Sequence, residues 1–522
     1  MAAVPGVEAR AGKFPGPSLI PRLTEIQREH GWLPREELVA LSRDMRRPLY
    51  EIEGLISFYP HFRTDPPEGS EVAVCHDLSC WLAGQAQAPE GARVREVSCL
   101  GRCDRAPITV VDEDYPEVER GEGPRPNDPY SPGDERYRVL RRALDGDITR
   151  DEVITALKDA ELRGMGGAGF PTGTKWELVA QQSATPKYAI CNADESEPGT
   201  FKDRQILAEQ PHLVLEGLLL GMWVTGAEEG WVFIRHEYAP EEEVLRAELD
   251  ALRAAGLVGP GRELDIFTSP GGYILGEESA LLECMEGHRG EPRNKPPFPG
   301  VYGLWGKPTL MNSVETLADV PVIVERGAEW WKAQGVNGST GLKFFAVSGH
   351  VERPGVYCVP MGTTARELIE RAGGVSGGAQ LAAFQPGGAS SNFLGPDDLD
   401  IALDFKPLAE RGSMLGSGAL VAVAEGTDLL AAATNVLRFF RNESCGKCVP
   451  CRVGSHKAHA MLTEALGDGS VEAIEPEIEQ LEATLRMTSI CGLGQVALGP
   501  VMSVLGLQRG GTAARPHPRP RP

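Results

Sequence analysis

Between residues 20 and 62 the apolar positions recur at helix-compatible steps: Leu23, Ile26, Leu33, Leu38, Leu41, Leu49, Ile52 and Ile56. That spacing predicts amphipathic helices, with few strand signals among them. The pattern then changes. Glu71-Val72-Ala73-Val74 and Ile108-Thr109-Val110-Val111 read as short strands, with four cysteines lying between them. A stretch rich in Pro, Gly and Asp, Glu117 to Asp134, reads as a linker. From about Asp145 to Arg326 short apolar runs alternate with helical patterns, as in an α/β domain. Tyr188-Ala189-Ile190-Cys191 and Gly230-Trp231-Val232-Phe233-Ile234 are two such runs, each followed by turn and helix signals. Residues Gly341 to about Val423 carry β-rich segments around one helix (Thr364 to Ala372), which suggests a small β-grasp-like module. Asp428 to Leu507 is helical again, and Arg509 to Pro522, rich in Gly, Pro and Arg, is expected to be disordered. No internal repeat is visible.

Composition narrows the classes of function. The chain has 522 residues, 41% hydrophobic content and a formal charge of −22. That length allows several domains with sizeable cores. The acidity leaves no basic surplus to neutralise phosphates, which argues against nucleic acid as a partner. No apolar run approaches the length of a membrane span, and Met1 to Pro15 lacks the apolar core of a signal peptide. The eleven cysteines are therefore expected in a reducing compartment, by default the cytoplasm, where metal ligation outweighs disulfides.

Two cysteine sets carry the clearest chemistry. Cys445, Cys448 and Cys451 stand at C-x2-C-x2-C spacing, and Cys491 supplies a distant fourth. Four converging thiolates suit a [4Fe–4S] cluster, one per iron; zinc also takes four cysteines, usually as two pairs. The second set is Cys75-x4-Cys80 followed by Cys99-x3-Cys103. Two pairs on two loops suit the two irons of a [2Fe–2S] cluster, with a zinc site or idle thiols as the other readings. Cys191, Cys284 and Cys358 are isolated and expected in the core.

Between these sets lie polar loops able to meet a nucleotide. Arg163-Gly164-Met165-Gly166-Gly167-Ala168-Gly169-Phe170 contains G-x-G-x-x-G, but a helix-like segment (Asp151 to Leu162) precedes it where the dinucleotide fingerprint has a strand. Side-chain-free backbone still lets a flavin or pyrophosphate approach closely and offers N–H groups to anionic oxygens; an ordinary glycine-rich loop is the plainer reading. Asn192-Ala193-Asp194-Glu195-Ser196-Glu197 follows a strand with three carboxylates in four residues, which need donors such as hydroxyls or a carboxamide. Gly276-Glu277-Glu278 opens a helix, where acids also serve as dipole complements. Gly303 to Ser313 forms a Gly/Pro-shaped loop ending in Asn312 and Ser313.

Taken together, these strings resemble the NADH-binding flavoprotein subunit of respiratory complex I and its relatives, over about Asp145 to Leu507. Pro17 to about Asp114 is similar to a shortened copy of that complex's thioredoxin-like [2Fe–2S] partner subunit, including Glu51 to Tyr59 and the four ligands Cys75, Cys80, Cys99 and Cys103. The resemblance implies an α/β multidomain chain: a helical plus thioredoxin-like [2Fe–2S] domain (1–125), a Rossmann-like FMN/NAD domain (126–340), a β-grasp (SLBB-like) domain (341–425), a C-terminal helical [4Fe–4S] bundle (426–508) and the tail. It implies FMN contacts for Gly164, Gly166, Gly167, Lys175, Asn192, Asp194, Gly276, Glu277, Asn312 and Thr316. It places Phe170, Glu195, Glu197, Glu278 and Phe298 around NAD(H), with the two phenylalanines able to sandwich an adenine. Three departures stand out. Met165 replaces the usual arginine, Ser313 replaces a common second asparagine, and the loop between Cys80 and Cys99 is shortened.

The fusion itself looks most similar to the β (diaphorase) subunit of soluble NAD-dependent molybdenum or tungsten formate dehydrogenases. Asp77-Leu78-Ser79-Cys80 and Arg163-Gly164-Met165-Gly166-Gly167 carry that likeness. It implies a molybdopterin- and iron–sulfur-containing α subunit and a separate [2Fe–2S] γ subunit as partners. The alternative is the flavoprotein subunit of an NAD-reducing [NiFe] hydrogenase or a complex I-like NADH dehydrogenase. A single cysteine follows Cys451, so the extra ferredoxin-like C-terminal domain of electron-bifurcating hydrogenases is not expected.

Overall fold

The structure, a computed structural model, describes residues 18–84, 86–119, 125–130 and 134–510. The apolar period of the N-terminal segment resolves into three helices, Leu19–His30, Arg35–Asp44 and Leu49–Ile56. The first is capped by Ser18, whose Oγ accepts from Ile20 N at 3.3 Å, and Leu19, Ile20 and Leu23 bury its inner face. A small sheet follows, made of β1 (Glu71–Cys75), β2 (Arg93–Val97) and β3 (Thr109–Val111). Its order is β2-β1-β3, with β1 parallel to β2 and antiparallel to β3.

The larger α/β unit is built on four parallel strands: β4 (Tyr188–Ala193), β5 (Glu229–Arg235), β6 (Glu263–Ser269) and β7 (Thr309–Ser313). Their order is β6-β5-β4-β7. The chain therefore leaves β4 in one direction and returns to its other side with β7, which makes a crevice at the carboxyl ends of those two strands. Open α/β sheets bind ligands at such a switch point. The helix Pro211–Thr225 packs beneath the sheet and is almost entirely buried, as its near-continuous apolar sequence requires. Strands buried on both faces likewise read as unbroken apolar runs.

A second four-stranded sheet, ordered β10-β11-β8-β9, comprises β8 (Leu342–Gly349), β9 (Gly355–Pro360), β10 (Leu381–Gln385) and β11 (Ala419–Ala424). Parallel β8/β11 pairing flanked by two antiparallel edges, with the helix Ala365–Arg371 between, is a β-grasp arrangement. Thr364 and Glu367 form a capping box at that helix. The C-terminal bundle consists of Leu429–Asn442, Val449–Asp468, Val471–Thr488, Gly492–Val496 and Gly499–Gln508. Among the described residues no helix is long and apolar enough to cross a membrane. The tail expected to be disordered lies, from residue 511 on, outside the described residues.

Two details differ from the sequence reading. β2 was not anticipated: Arg93-Val94-Arg95-Glu96-Val97 sits at a sheet edge, largely exposed, and lacks the apolar alternation that marks a half-buried strand. The segment read as a linker is in part docked. Arg125 forms a two-pronged pair with Glu209 at 2.5 and 2.8 Å. Fully buried Asn127 joins Asp319 and Gln210, and Tyr130 donates to Glu216 at 2.7 Å. Cys191 and Cys284 are core residues as expected, whereas Cys358, on β9, is only partly buried.

Candidate functional site

The glycine loop folds back on itself, with Gly164 N donating to Phe170 O at 2.9 Å. It is anchored to the start of the helix Val314–Arg326, because Met165 N donates to the buried Thr316 hydroxyl at 2.9 Å. Thr316 thus positions the loop. Gly167 has φ +116°, a conformation that L side chains rarely adopt, and a Cβ there would lie 3.7 Å from Gly416 of the β-grasp domain. Lys175 donates to Met311 O at 3.0 Å, and Trp176 Nε1 holds Asn312 Oδ1 at 3.0 Å. The loop therefore overhangs the carboxyl end of β7.

The end of β4 completes the crevice. Asn192 Nδ2 donates to Gly276 O at 2.9 Å, while its Oδ1 accepts from Asp194 N at 3.2 Å. Burial pushes the Asp194 carboxyl up to about 7, with Arg235 opposing. Glu277 caps the helix Glu278–Met285, accepting from Ser279 N at 3.0 Å and Ala280 N at 2.9 Å. Its other oxygen and that of Glu278 both receive Lys295 Nζ at 2.7 Å. Phe170 and Phe298 are the most exposed phenylalanines described, at 44% and 51%; their faces are free to stack.

The three acids after β4 do different things. Glu195 is turned inward, accepting from Asp203 N and the Tyr238 hydroxyl, each at 2.9 Å. Burial raises its carboxyl to about 7. Its side chain is thus committed to holding the loop rather than facing the crevice. Glu197 lies across from the β-grasp domain, accepting from Ser390 N at 2.6 Å and Ser417 Oγ at 3.4 Å. Sequence reasoning missed Trp176, Lys295, Ser390 and Ser417. Their partners lie far along the chain, so no local spacing marks them.

Both cysteine sets converge. Cys75, Cys80, Cys99 and Cys103 are each at most 5% exposed. The Cys99 and Cys103 sulfurs are 3.4 Å apart, and Cys75 reaches Cys80 and Cys99. In the C-terminal bundle Cys448 and Cys491 precede the first turns of the helices Val449–Asp468 and Gly492–Val496. Cys451 reaches Cys448, and its sulfur shares a hydrogen bond with Ser444 Oγ at 3.2 Å. The charges of Glu277 and Cys445 both register on Cys491, which places the capping carboxylate beside the cysteine set. Lys447 pins the intervening loop to Pro292 O at 2.7 Å. Four soft thiol donors without a carboxylate or imidazole among them fit an iron–sulfur cluster at each place. The glycine-rich loop above β7, whose Gly164, Met165 and Gly169 N–H groups hold its own fold, leaves close-approach backbone at Gly166 and Gly167 that fits a flavin phosphate and ring. When bound, FMN exchanges a hydride with NAD(H) and the clusters carry single electrons.

A flavin cradle between two cysteine clusters defines an electron-transferring flavoprotein. Residues 157–322 match the family described as the Nuo51 FMN-binding domain, and residues 431–509 match the NADH-ubiquinone oxidoreductase-F iron–sulfur binding region. Residues 13–93 match the thioredoxin-like [2Fe–2S] ferredoxin family, and 344–393 the SLBB domain. The chain is 43% identical over 370 residues to the second NADH-quinone oxidoreductase F subunit of Rhizobium meliloti, covering 69% of this chain and 87% of that one. It is 42% identical to the NADH-quinone oxidoreductase F subunit of Aquifex aeolicus, over 69% of this chain and 84% of that one. The crystal structure of an NAD+-reducing [NiFe]-hydrogenase in the H2-reduced state superposes with a TM-score of 0.81 at 29% identity, over 92% of this chain and 90% of that one. The chain belongs to the family of NADH-quinone oxidoreductase F subunits, the NADH-binding flavoproteins of complex I and their relatives. Its cofactors are FMN, NAD(H), a [4Fe–4S] and a [2Fe–2S] cluster.

Proposed function

We propose that this chain is the diaphorase subunit of a soluble NAD-dependent formate dehydrogenase, passing electrons from iron–sulfur clusters through FMN to NAD+. The fusion of the thioredoxin-like cysteine set and the flavin crevice in one chain carries the diaphorase reading, and the strings Asp77 to Cys80 and Arg163 to Gly167 carry its likeness to formate dehydrogenases. Within the crevice Gly164, Gly166, Gly167, Lys175, Asn192, Asp194, Gly276, Glu277, Asn312 and Thr316 surround the flavin. Phe170, Glu197, Glu278 and Phe298 lie toward the dinucleotide. In this reading formate is oxidised on a partner subunit that carries the molybdopterin.

A second reading, the flavoprotein subunit of an NAD-reducing hydrogenase, is favoured by the superposition above, which extends over the fused N-terminal region. Purification of the native complex through a tag on this chain separates the two. Molybdenum or tungsten with formate-driven NAD+ reduction supports the first; nickel with hydrogen-driven reduction replaces it with the second.

The dinucleotide roles have their own test. Glu278→Gln and Phe170→Ala are expected to raise KM for NADH roughly tenfold, equivalent to about 1.4 kcal/mol, while flavin stays near one per chain. Unchanged NADH kinetics in both variants would remove these residues from the dinucleotide site.

A further inference from the structure

Three arginine side chains, each no more than 2% exposed, surround the loop that carries Cys99 and Cys103. Arg102 belongs to the loop, Arg204 comes from the helix Lys202–Glu209, and Arg235 ends β5. Arg235 Nη2 donates to the Cys99 carbonyl at 2.7 Å, and Arg204 Nη1 donates to the Gly101 carbonyl at 2.7 Å. Through its other terminal nitrogen Arg235 also donates to the Glu195 carbonyl. One guanidinium therefore ties the cysteine loop directly to the acidic loop at the flavin crevice. Tyr238 packs beneath, with the Arg235 and Arg102 guanidinium carbons 5.1 and 5.6 Å from its ring centre. The close approach leaves no room beside Gly101: a Cβ there would lie 2.6 Å from Tyr238.

Each arginine also has a carboxylate partner. Glu237 faces Arg235 at 2.8 Å, Asp104 faces Arg204 at 2.8 Å, and Glu241 faces Arg102 at 3.5 Å. Of the three arginines, Arg235 is the one that donates to the backbone of a cluster cysteine itself, Cys99, while Arg204 reaches Gly101 O and Arg102 reaches Glu237 O. Reduction of a buried cluster adds one negative charge, and a nearby cation in a low-dielectric setting stabilises the reduced form. Potentials of such clusters follow net charge, hydrogen bonding and exposure, and groups behind the ligands tune them.

We propose that Arg235 is a positioning residue for the [2Fe–2S] centre, fixing the Cys99 loop against the flavin domain and holding the cluster's reduction potential up. The test is an EPR-monitored redox titration of the full chain purified anaerobically with its clusters. Arg235→Gln shifts the [2Fe–2S] midpoint to a more negative potential and leaves the [4Fe–4S] midpoint in place as an internal reference. Arg235→Lys, which keeps the charge but not the fork of donors, retains most of the wild-type midpoint. Glu237→Gln shifts it the other way, to a more positive potential, and decides the matter if Arg235→Gln fails to hold iron. A wild-type midpoint in Arg235→Gln with iron retained overturns the proposal. So does an equal shift in the Lys and Gln variants, or a Glu237→Gln midpoint that does not rise.

Discussion

Glu315→Gln is expected to destabilise the chain by about 3–5 kcal/mol, the usual consequence of stranding a buried charge. Glu315 opens the helix Val314–Arg326 behind the crevice, and its side chain is wholly buried. One oxygen receives Lys343 Nζ at 2.6 Å and Lys202 Nζ at 2.9 Å; the other accepts from Phe344 N at 2.8 Å. Lys343 lies on β8 and also donates to Ser417 O at 3.1 Å, so this carboxylate joins the β-grasp sheet to the flavin domain. Lys202 has a second partner in Asp203 at 2.6 Å, whereas Lys343 has no other carboxylate within ion-pair distance among the described residues. Removing the charge leaves that ammonium buried without compensation. A lower melting temperature in Glu315→Gln, partly restored in Glu315→Gln/Lys343→Met, is the expected result, because deleting both charges removes the desolvation cost along with the attraction. Burial alone would raise the Glu315 carboxyl, but Lys202 and Lys343 hold it below its ordinary value. Its contribution is therefore complete above the unfolded value of about 4.3 and is lost as pH falls through the lower folded value.

The second large effect concerns the flavin itself. Gly167→Ala is expected to yield protein with FMN well below one per chain and NADH oxidation reduced in proportion, while iron is unchanged. At φ +116° an L side chain carries strain of about 1–3 kcal/mol. The loop would relax by moving its N–H groups, which are what the phosphate and ring require. The contrast with Glu278→Gln matters: that variant keeps flavin and loses affinity for NADH. Full flavin and wild-type kinetics in Gly167→Ala would mean that the loop does not form the cradle.

What was legible in the sequence was what depends on local spacing. The cysteines were readable because a cluster needs a fixed number of thiolates, and C-x2-C-x2-C can deliver three from one turn. The glycine loop was readable as backbone without side chains, although its setting after a helix hid its place above β7. What escaped was whatever pairs across the chain. The Glu195 side chain reads like its acidic neighbours, yet Tyr238 and the backbone of Asp203 draw it inward. Lys295, Ser390 and Ser417 reach the acids from separate segments, and Arg235 is simply the residue after an apolar run. Arg93–Val97 escaped because an edge strand needs no apolar face. The segment around Asn127 escaped because Pro, Gly and Asp mark irregular backbone without saying whether it is docked.

One chain holds a flavin and two iron–sulfur clusters at the places described. The most direct measurement is anaerobic purification of the full chain with FMN, iron and NADH:ferricyanide reductase activity assayed on the same sample. One FMN, about six irons and rapid NADH-dependent ferricyanide reduction are expected. Protein that is folded but holds no FMN and reduces no ferricyanide with NADH would contradict that assignment.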